Sequence, residues 1–365
     1  MDLMKRILQL MIFVSVFFLG FLALNYVVFL ALGNLFLFPR NGNFYIIVFL
    51  AALFYPAAAL LERTLSNAFS RIFYFLAASW VGIAFFLLWG LIIYYILNLF
   101  VRLPSYAAGI IIISVTIIVS GYSILKAMHL EIKELEIPIE GLEEKIHVVQ
   151  ITDIHIGPVR EHKFVQKMVD NCNQQKPHLI FITGDLFDGS SQIHEEIIKI
   201  LNKFEAPVFM VTGNHDYFQG IDEVYDALER TQISVLHNQK MQFNDLQVIG
   251  VDYSFQTRYL ESSLQKIDFD ADKPTVLLYH LPRELQAAHK AGVDLQLSGH
   301  THNGQIFPFK YLVKLQFPYI GGLYRYKNTL LYVSQGTGTW GPPMRLGSRC
   351  EITNIYLNPK HVVPG

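Results

Sequence analysis

Between residues 7 and 125 the apolar positions form four long uninterrupted blocks, and beyond 126 they shrink to short runs separated by polar loops. The blocks Ile7–Leu30, Phe44–Leu61, Ile72–Leu97 and Ala107–Leu125 contain no Asp, Glu, Lys, Arg or His. Each is about 18 residues or longer, enough to cross a bilayer as a helix. Ile7–Leu30 outruns the apolar core of a signal peptide, and no small-residue cleavage site follows it, so it is expected to stay in the mature chain. Pro56 falls inside the second block, where a membrane helix tolerates a kink. Trp80, Trp89, Tyr94, Tyr95 and Tyr106 are candidate interfacial anchors, some of them set deeper.

After Met128 charged residues alternate with Leu130, Ile132, Leu135, Ile137 and Ile139, the pattern of an edge strand ended by Pro138 and Gly141. Strands are then expected at Ile146–Ile151, Leu179–Thr183, Val208–Thr212, Leu246–Val251, Thr275–Tyr279 and Asp294–Leu297. Phe164, Val165, Met168, Val169 and Cys172 fall at helical spacing, as do Ile193, Ile197, Ile198, Leu201 and Phe204. Shorter helices are expected around Asp222–Arg230 and Arg283–Lys290. Beyond 304 aromatic strand-like runs and glycine turns dominate. Alternating strands and helices followed by strands fit two sheets packed face to face with helices outside. The expected organisation is a four-helix transmembrane region over 1–125, a linker and edge strand over 126–145, and a soluble α/β domain over 146–365.

Composition sharpens this division. Hydrophobic residues make up 52% of the 365, too many for one water-soluble globule, and the excess lies before residue 126. Net charge is −1, without the basic excess of a nucleic-acid binder. Cys172 and Cys350 lie far apart without metal-like spacing, which fits unpaired thiols in a reducing compartment. Lys5, Arg6, Arg63 and Arg71 flank one side of the spans, and Lys126 and Lys133 follow the last, against Arg40 and Arg102 on the other side. That bias places a multi-pass protein in the cell membrane with both ends and the soluble domain in the cytoplasm. Spans free of ionisable groups fit an anchor or scaffold better than a transport pathway.

Candidate chemistry gathers just past five of the expected strands. V-V-Q-I-T-D-I-H carries Asp153 and His155, and F-I-T-G-D-L-F-D carries Asp185 and Asp188. F-M-V-T-G-N-H-D carries Asn214, His215 and Asp216, V-L-L-Y-H carries His280, and L-Q-L-S-G-H-T-H carries His300 and His302. Gly184 allows a sharp turn that presents Asp185 at a strand's C-terminal edge, where open α/β sheets bind ligands. Spacing by two, as in D-x-H and H-x-H, puts both side chains on one side of an extended segment. A lone histidine or G-D turn says little; five such blocks in one chain point to a metal site.

In this order, D-x-H, G-D-x-x-D, G-N-H-D, a lone His after a strand and G-H-x-H resemble the calcineurin-like metallophosphoesterases, from about Ile146 to the C-terminus. The resemblance implies two packed mixed sheets flanked by helices and two metals bridged by one aspartate. It implies Asp153, His155, Asp185 and His302 on the first metal, and Asp185, Asn214, His280 and His300 on the second. His215 would be the general acid and Asp188 its orienting partner. The four spans resemble a bacterial membrane-bound branch in which G-H-T-H is followed by Gly-Gly-Gln; here Asn303 stands in place of the first glycine. Nitrogen and oxygen donors without thiolate suit divalent Mn, Fe or Zn.

Two signals downstream stay open. Arg345, in G-T-G-T-W-G-P-P-M-R, could hold a substrate phosphate or simply brace the fold. Phe307–Lys327 mixes aromatics with Lys310, Lys314, Arg325 and Lys327, and reads either as a lip on anionic lipid or as a pair of strands with solvated charges. The expected activity is hydrolysis of a phosphodiester, phosphomonoester or pyrophosphate bond, on a lipid-linked or nucleotide-diphosphate-linked substrate. The alternative is a non-enzymatic sensor or scaffold that binds a phosphorylated ligand through the same fold; uncharged spans disfavour a transporter.

Overall fold

The long apolar blocks form four helices: α1 (Asp2–Phe36), α2 (Gly42–Leu65), α3 (Ala68–Asn98) and α4 (Ser105–Ala127). The computed structural model describes residues 2–360, with side chains for all of these except 2–14, 16 and 17. The side chains of part of the first expected span are therefore not described, and the last five residues of the expected soluble domain lie outside the described residues. All four helices are long and apolar enough to cross a membrane by length and composition, α1 over Phe18–Phe36. They overrun the uncharged blocks because capping residues extend them. The Asn41 side chain accepts from the Phe44 N–H at the start of α2, and Asn67 and Ser70 form a capping box on α3. Pro56 sits inside α2 without ending it.

The chain divides into two compact units, Met1–Leu125 with Gly341–Met344, and Lys126–Trp340 with Arg345–Gly365. Within the first, Val28, Leu35, Leu87, Leu91 and Ile112 form an apolar core. Two polar pairs lie among these helices: Trp80 donates its indole N–H to Asn25 Oδ1 (2.9 Å), and the Tyr55 and Tyr74 hydroxyls meet at 3.0 Å. Trp80 thus packs α3 onto α1.

In the second unit the order is β1 (Leu130–Ile139), β2 (Ile146–Ile151), α5 (His162–Gln174), β3 (Leu179–Thr183), α6 (Glu195–Leu201), β4 (Val208–Val211), α7 (Asn214–Gln219), α8 (Ile221–Leu228) and β5 (Ile233–Val235). There follow β6 (Gln239–Phe243), β7 (Leu246–Val251), α9 (Tyr259–Leu264), β8 (Thr275–Tyr279), α10 (Leu285–Lys290), β9 (Leu295–Ser298), α11 (Lys310–Gln316), β10 (Gly322–Tyr326), β11 (Thr329–Val333) and β12 (Cys350–Pro359). One six-stranded sheet runs β1-β12-β2-β3-β4-β5 and the other β10-β11-β9-β8-β7-β6. Both are mixed. β2, β3, β4 and β5 are parallel, as are β7, β8, β9 and β11, while β12–β2, β6–β7 and β10–β11 are antiparallel.

Fully buried strands of Val, Ile, Leu and Phe form the middle of each sheet, as expected where both faces are covered. Val148, Phe181, Val248, Leu278, Leu297 and Ile355 belong to the layer between the sheets. Val165, Met168, Ile197 and Val224 seal the outer face of the first sheet with α5, α6 and α8, and Leu260 and Ala288 seal the second with α9 and α10. The layers are helix, sheet, sheet, helix. Two placements differ from the periodicity reading. Residues 310–316 form α11, not a strand, and β12 returns from the C-terminal region to sit between β1 and β2, leaving β1 at the edge.

Candidate metal centre

Every candidate block follows the C-terminal end of a strand. Thr152–Ile156 follows β2, Gly184–Asp188 follows β3, Gly213 and the start of α7 follow β4, His280 follows β8, and Gly299–His302 follows β9. The two sheets thus deliver their loops to one place, at the strand ends where such sheets bind ligands. Gly184 turns at φ +96°, and a Cβ there would run into the His280 ring; the glycine lets Asp185 and His280 approach.

The extended-segment account of D-x-H and H-x-H does not hold. Asp153 (φ 50°), His155 (52°), Asp185 (53°), His300 (71°) and His302 (49°) all take left-handed backbone conformations. Such conformations cost roughly 1–3 kcal/mol each and persist where the surroundings over-determine them. Here the surroundings do. The N–H groups of Asp153 and Ile154 donate to the carbonyls of Gly184 and Asp185 (3.0 and 2.9 Å), and the His300 N–H donates to the Asp153 carboxylate (2.9 Å). Asn303 also sits at φ 51°, ψ 34°, a conformation asparagine tolerates, so it replaces glycine without disturbing the turn.

Three overlapping groups of ligand atoms result, each within 4.8 Å of one another: Asp153, His155 and His302; His155, Asp185 and His215; and Asp185, His280 and His300. Asp185 Oδ2 lies 3.3 Å from His280 Nε2 and 3.9 Å from His155 Nε2. His302 Nε2 lies 3.5 Å from Asp153 Oδ1 and 3.0 Å from His155 Nε2, and His300 Nδ1 lies 3.2 Å from His280 Nε2. Lone-pair-bearing ring nitrogens thus face one another, an arrangement that shared cations satisfy. Asn214 Oδ1 and His155 Nδ1 are buried without a hydrogen-bond partner among the described residues. The donor set fits divalent metal ions.

Electrostatics favour the same use. Burial drives His155 and His302 well below the ordinary histidine range, with His215 and Arg345 respectively adding to the fall, and burial with His280 brings His300 down to about 3. These rings are neutral and keep a free lone pair. Burial opposes the charge on Asp185 too, but His280, His215 and His155 outweigh it and hold the carboxyl well below its ordinary value. Burial likewise opposes protonation of His280, yet the Asp185 charge lifts it to about 9. Burial raises Asp153 to about 6, with His280 opposing and Asp185 adding to the rise.

The His215 N–H donates to Asp185 Oδ1 (2.8 Å), and its ring Nδ1 lies 2.8 Å from the Asp188 carbonyl oxygen. A carbonyl only accepts, so Nδ1 carries the proton and Nε2 is left for other chemistry. The partner of His215 is thus the main chain of Asp188. Its carboxylate instead accepts from the Ser190 hydroxyl and lies 3.7 Å from His155 Nδ1. Asp216, which closes G-N-H-D, accepts from the N–H groups of Asp185, Leu186, Phe187 and Gly213 and ties the two loops together.

Arg345 is fully buried. Its guanidinium donates to the His302 carbonyl (3.0 Å) and the Gly338 carbonyl (2.6 Å) and lies 3.0 Å from His302 Nδ1. It stands behind His302, where no substrate phosphate reaches it, and occupies the Nδ1 side of the ring so that Nε2 faces Asp153 and His155. Burial of a single arginine leaves no mark in sequence.

Comparison with known proteins agrees with this geometry. The calcineurin-like phosphoesterase family model matches residues 146–304. An uncharacterized metallophosphoesterase of Campylobacter jejuni is 36% identical over 272 residues, covering 72% of this chain and 72% of its own length. A transmembrane protein with metallophosphoesterase domain from Danio rerio is 30% identical over 278 residues, covering 69% of this chain and 63% of its own, so the match spans under two thirds of that relative. Among solved structures, a dimetal phosphatase from Danio rerio aligns over 59% of this chain and 99% of its own at 9% identity and a TM-score of 0.37, which adds nothing to the assignment. The bacterial relative is matched over most of both chains, and on that match the chain belongs to the calcineurin-like metallophosphoesterase family.

Proposed function

We infer that this chain is a membrane-bound hydrolase whose two-metal centre cleaves a phosphodiester, phosphomonoester or pyrophosphate bond of a lipid-linked or nucleotide-diphosphate-linked substrate. The observation that carries the reading is Asp185, an ionised buried carboxylate that belongs to two groups of ligand atoms at once. Membrane anchoring falls to 1–125, the linker and edge strand to 126–145, and the chemistry to 146–365. Asp153, His155, Asp185 and His302 would hold one ion, and Asp185, Asn214, His280 and His300 the other. Manganese suits these nitrogen and oxygen donors, as do iron and zinc. Such ions supply Lewis acidity to a phosphoryl oxygen and lower the pKa of water.

The chain's own residues do the rest. His215, with Nδ1–H held by the Asp188 carbonyl, leaves Nε2 free to take up a second proton, and the imidazolium so formed can pass that proton to a departing ester oxygen. Asp216 keeps the Asp185 turn and the His215 loop in register. The lean towards a lipid-linked substrate comes from the tether: only Met128 and His129 separate α4 from β1, which keeps the covalent reach from the candidate span short. The test is to purify the full chain in detergent, load it with Mn²⁺, and assay a panel of lipid and nucleotide phosphoesters against the chelated protein. Metal-dependent hydrolysis of at least one class is expected. Bound metal with no turnover of any class would replace the hydrolase with a sensor or scaffold.

The basic bias around the spans supports a cytoplasmic soluble domain. Cys172 and Cys350 are both buried, so single cysteines introduced in the Arg40 loop and at the C-terminus can be read over a low background. On intact cells an impermeant thiol reagent is expected to label the Arg40 loop and to reach the C-terminus only after lysis. Labelling of the C-terminus before lysis reverses the orientation.

A further inference from the structure

Between the last site histidine and β10 the chain forms a helix that buries nothing. None of the seven residues of α11 is buried. Leu315 is 84% exposed, Leu312 57% and Tyr311 56%, and Phe307 and Phe309 just before it are also exposed. Single exposed apolar residues are ordinary on a protein surface; five within nine positions of the chain form a patch that needs an occupant. The same helix carries Lys310 and Lys314, and Lys310 lies over the rings of Phe307 and Tyr311. Moreover, no acidic residue occurs anywhere between Asp294 and Glu351, while Lys310, Lys314, Arg325, Lys327, Arg345 and Arg349 all do. Of these, Lys310 and Lys314 lie on the exposed helix itself, whereas Arg345 is buried and Arg349 pairs with Glu131.

The helix is also built onto the metal centre. A Cβ on Gly304, two residues past His302, would collide with the Lys310 backbone, so the two segments touch. At the other end, Phe317 is buried with its ring 4.9 Å from that of His300. α11 is therefore fixed at both ends to the loop that carries two of the site histidines.

We propose that α11, with Phe307 and Phe309, is a lipid-docking lip that inserts its apolar residues into an anionic bilayer surface beside the metal centre. Apolar side chains enter the headgroup–acyl boundary while the flanking lysines meet anionic headgroups. A protein partner is the other occupant an apolar patch could have. The two lysines on the helix favour lipid, and the four helices fit to cross a membrane put a bilayer on the same chain. The proposal rests on the hydrolase reading above and gives it a means of drawing a phosphoester from the membrane plane.

The test uses the full chain in lipid nanodiscs, of phosphatidylcholine alone and of phosphatidylcholine with phosphatidylglycerol. A nitroxide is placed on Leu312→Cys, Leu315→Cys or, as an exposed control on α6, Lys199→Cys; both native cysteines are buried. Power saturation with oxygen and with a water-soluble nickel chelate reads depth without any turnover. The labels at 312 and 315 are expected to be open to oxygen and shielded from nickel, more so with the anionic lipid, and Lys314→Glu is expected to remove that preference. The control is expected to stay in water. Labels at 312 and 315 that remain in water in both discs overturn the proposal. So do labels shielded from both reagents, as a protein partner or second copy would shield them, and labels that immerse equally in both lipids. Immersed labels on a chain that hydrolyses nothing would sink the hydrolase reading alone; hydrolysis with labels in water would sink only the lip.

Discussion

Asp185→Asn is expected to empty the centre of both metal ions while leaving the domain folded. The carboxylate belongs to two of the three ligand groups, with Oδ2 3.3 Å from His280 Nε2 and 3.9 Å from His155 Nε2. Asparagine keeps an oxygen that can accept the His215 N–H now held by Oδ1 at 2.8 Å, and the Asp185 backbone N–H still reaches Asp216. The turn therefore survives, and what disappears is the one charge that two cations share. Loss of an outer partner of a metal ligand typically weakens affinity by about 10–100-fold, and loss of a shared ligand's charge is expected to exceed the upper figure. Elemental analysis after gel filtration, with a thermal melt as the folding control, checks it. Retention of both ions with unchanged turnover would defeat the two-metal reading.

Much of this centre was legible because its residue types are rare in combination. A carboxylate or histidine just past an apolar strand can be read without a structure, and so can a run of residues long enough to span a bilayer. The backbone that brings the ligands together was not legible. Asp153, His155 and His302 look like alternating strand positions, yet each sits at φ near 50°, because hydrogen bonds from distant loops impose a conformation their own chemistry does not favour. The same limit hid the partner of His215. Sequence can nominate Asp188, but only the fold shows that its carbonyl faces His215 while its carboxylate turns to Ser190 and His155.

Non-local packing explains the other differences. β12 pairs with β1 and β2 across roughly two hundred residues of chain, a distance at which periodicity carries no information. Arg345 could be read as a phosphate ligand or as a brace, and its burial against His302 is not visible in the sequence. For α11 the pattern K-Y-L-V-K-L-Q satisfies strand and helix about equally over seven residues. Short apolar runs are ambiguous in this way. A helix with no buried side chain also lacks the one-sided pattern by which helices are recognised. The segment that periodicity placed worst is the one whose apolar residues stay mostly exposed.

His215→Ala is expected to separate chemistry from metal binding. The ring sits where the loops from β3 and β4 meet, with Nδ1 held by the Asp188 carbonyl and Nε2 free. Phe218 and Trp340 lie against it at centroid distances of 5.1 and 5.7 Å, which fixes the plane in which Nε2 points. A proton donor held this way speeds expulsion of a poor leaving group by about 10²–10⁴-fold. A good leaving group departs without a proton and gains much less. The alanine variant is therefore expected to lose about that factor on an alkyl ester and far less on an activated aryl phosphodiester, with metal content unchanged. Equal losses on both substrates would remove His215 from the acid's role. Because His215 also falls in a ligand group with His155 and Asp185, loss of metal in the variant would make it a ligand, and proton donation would then have to come from another residue.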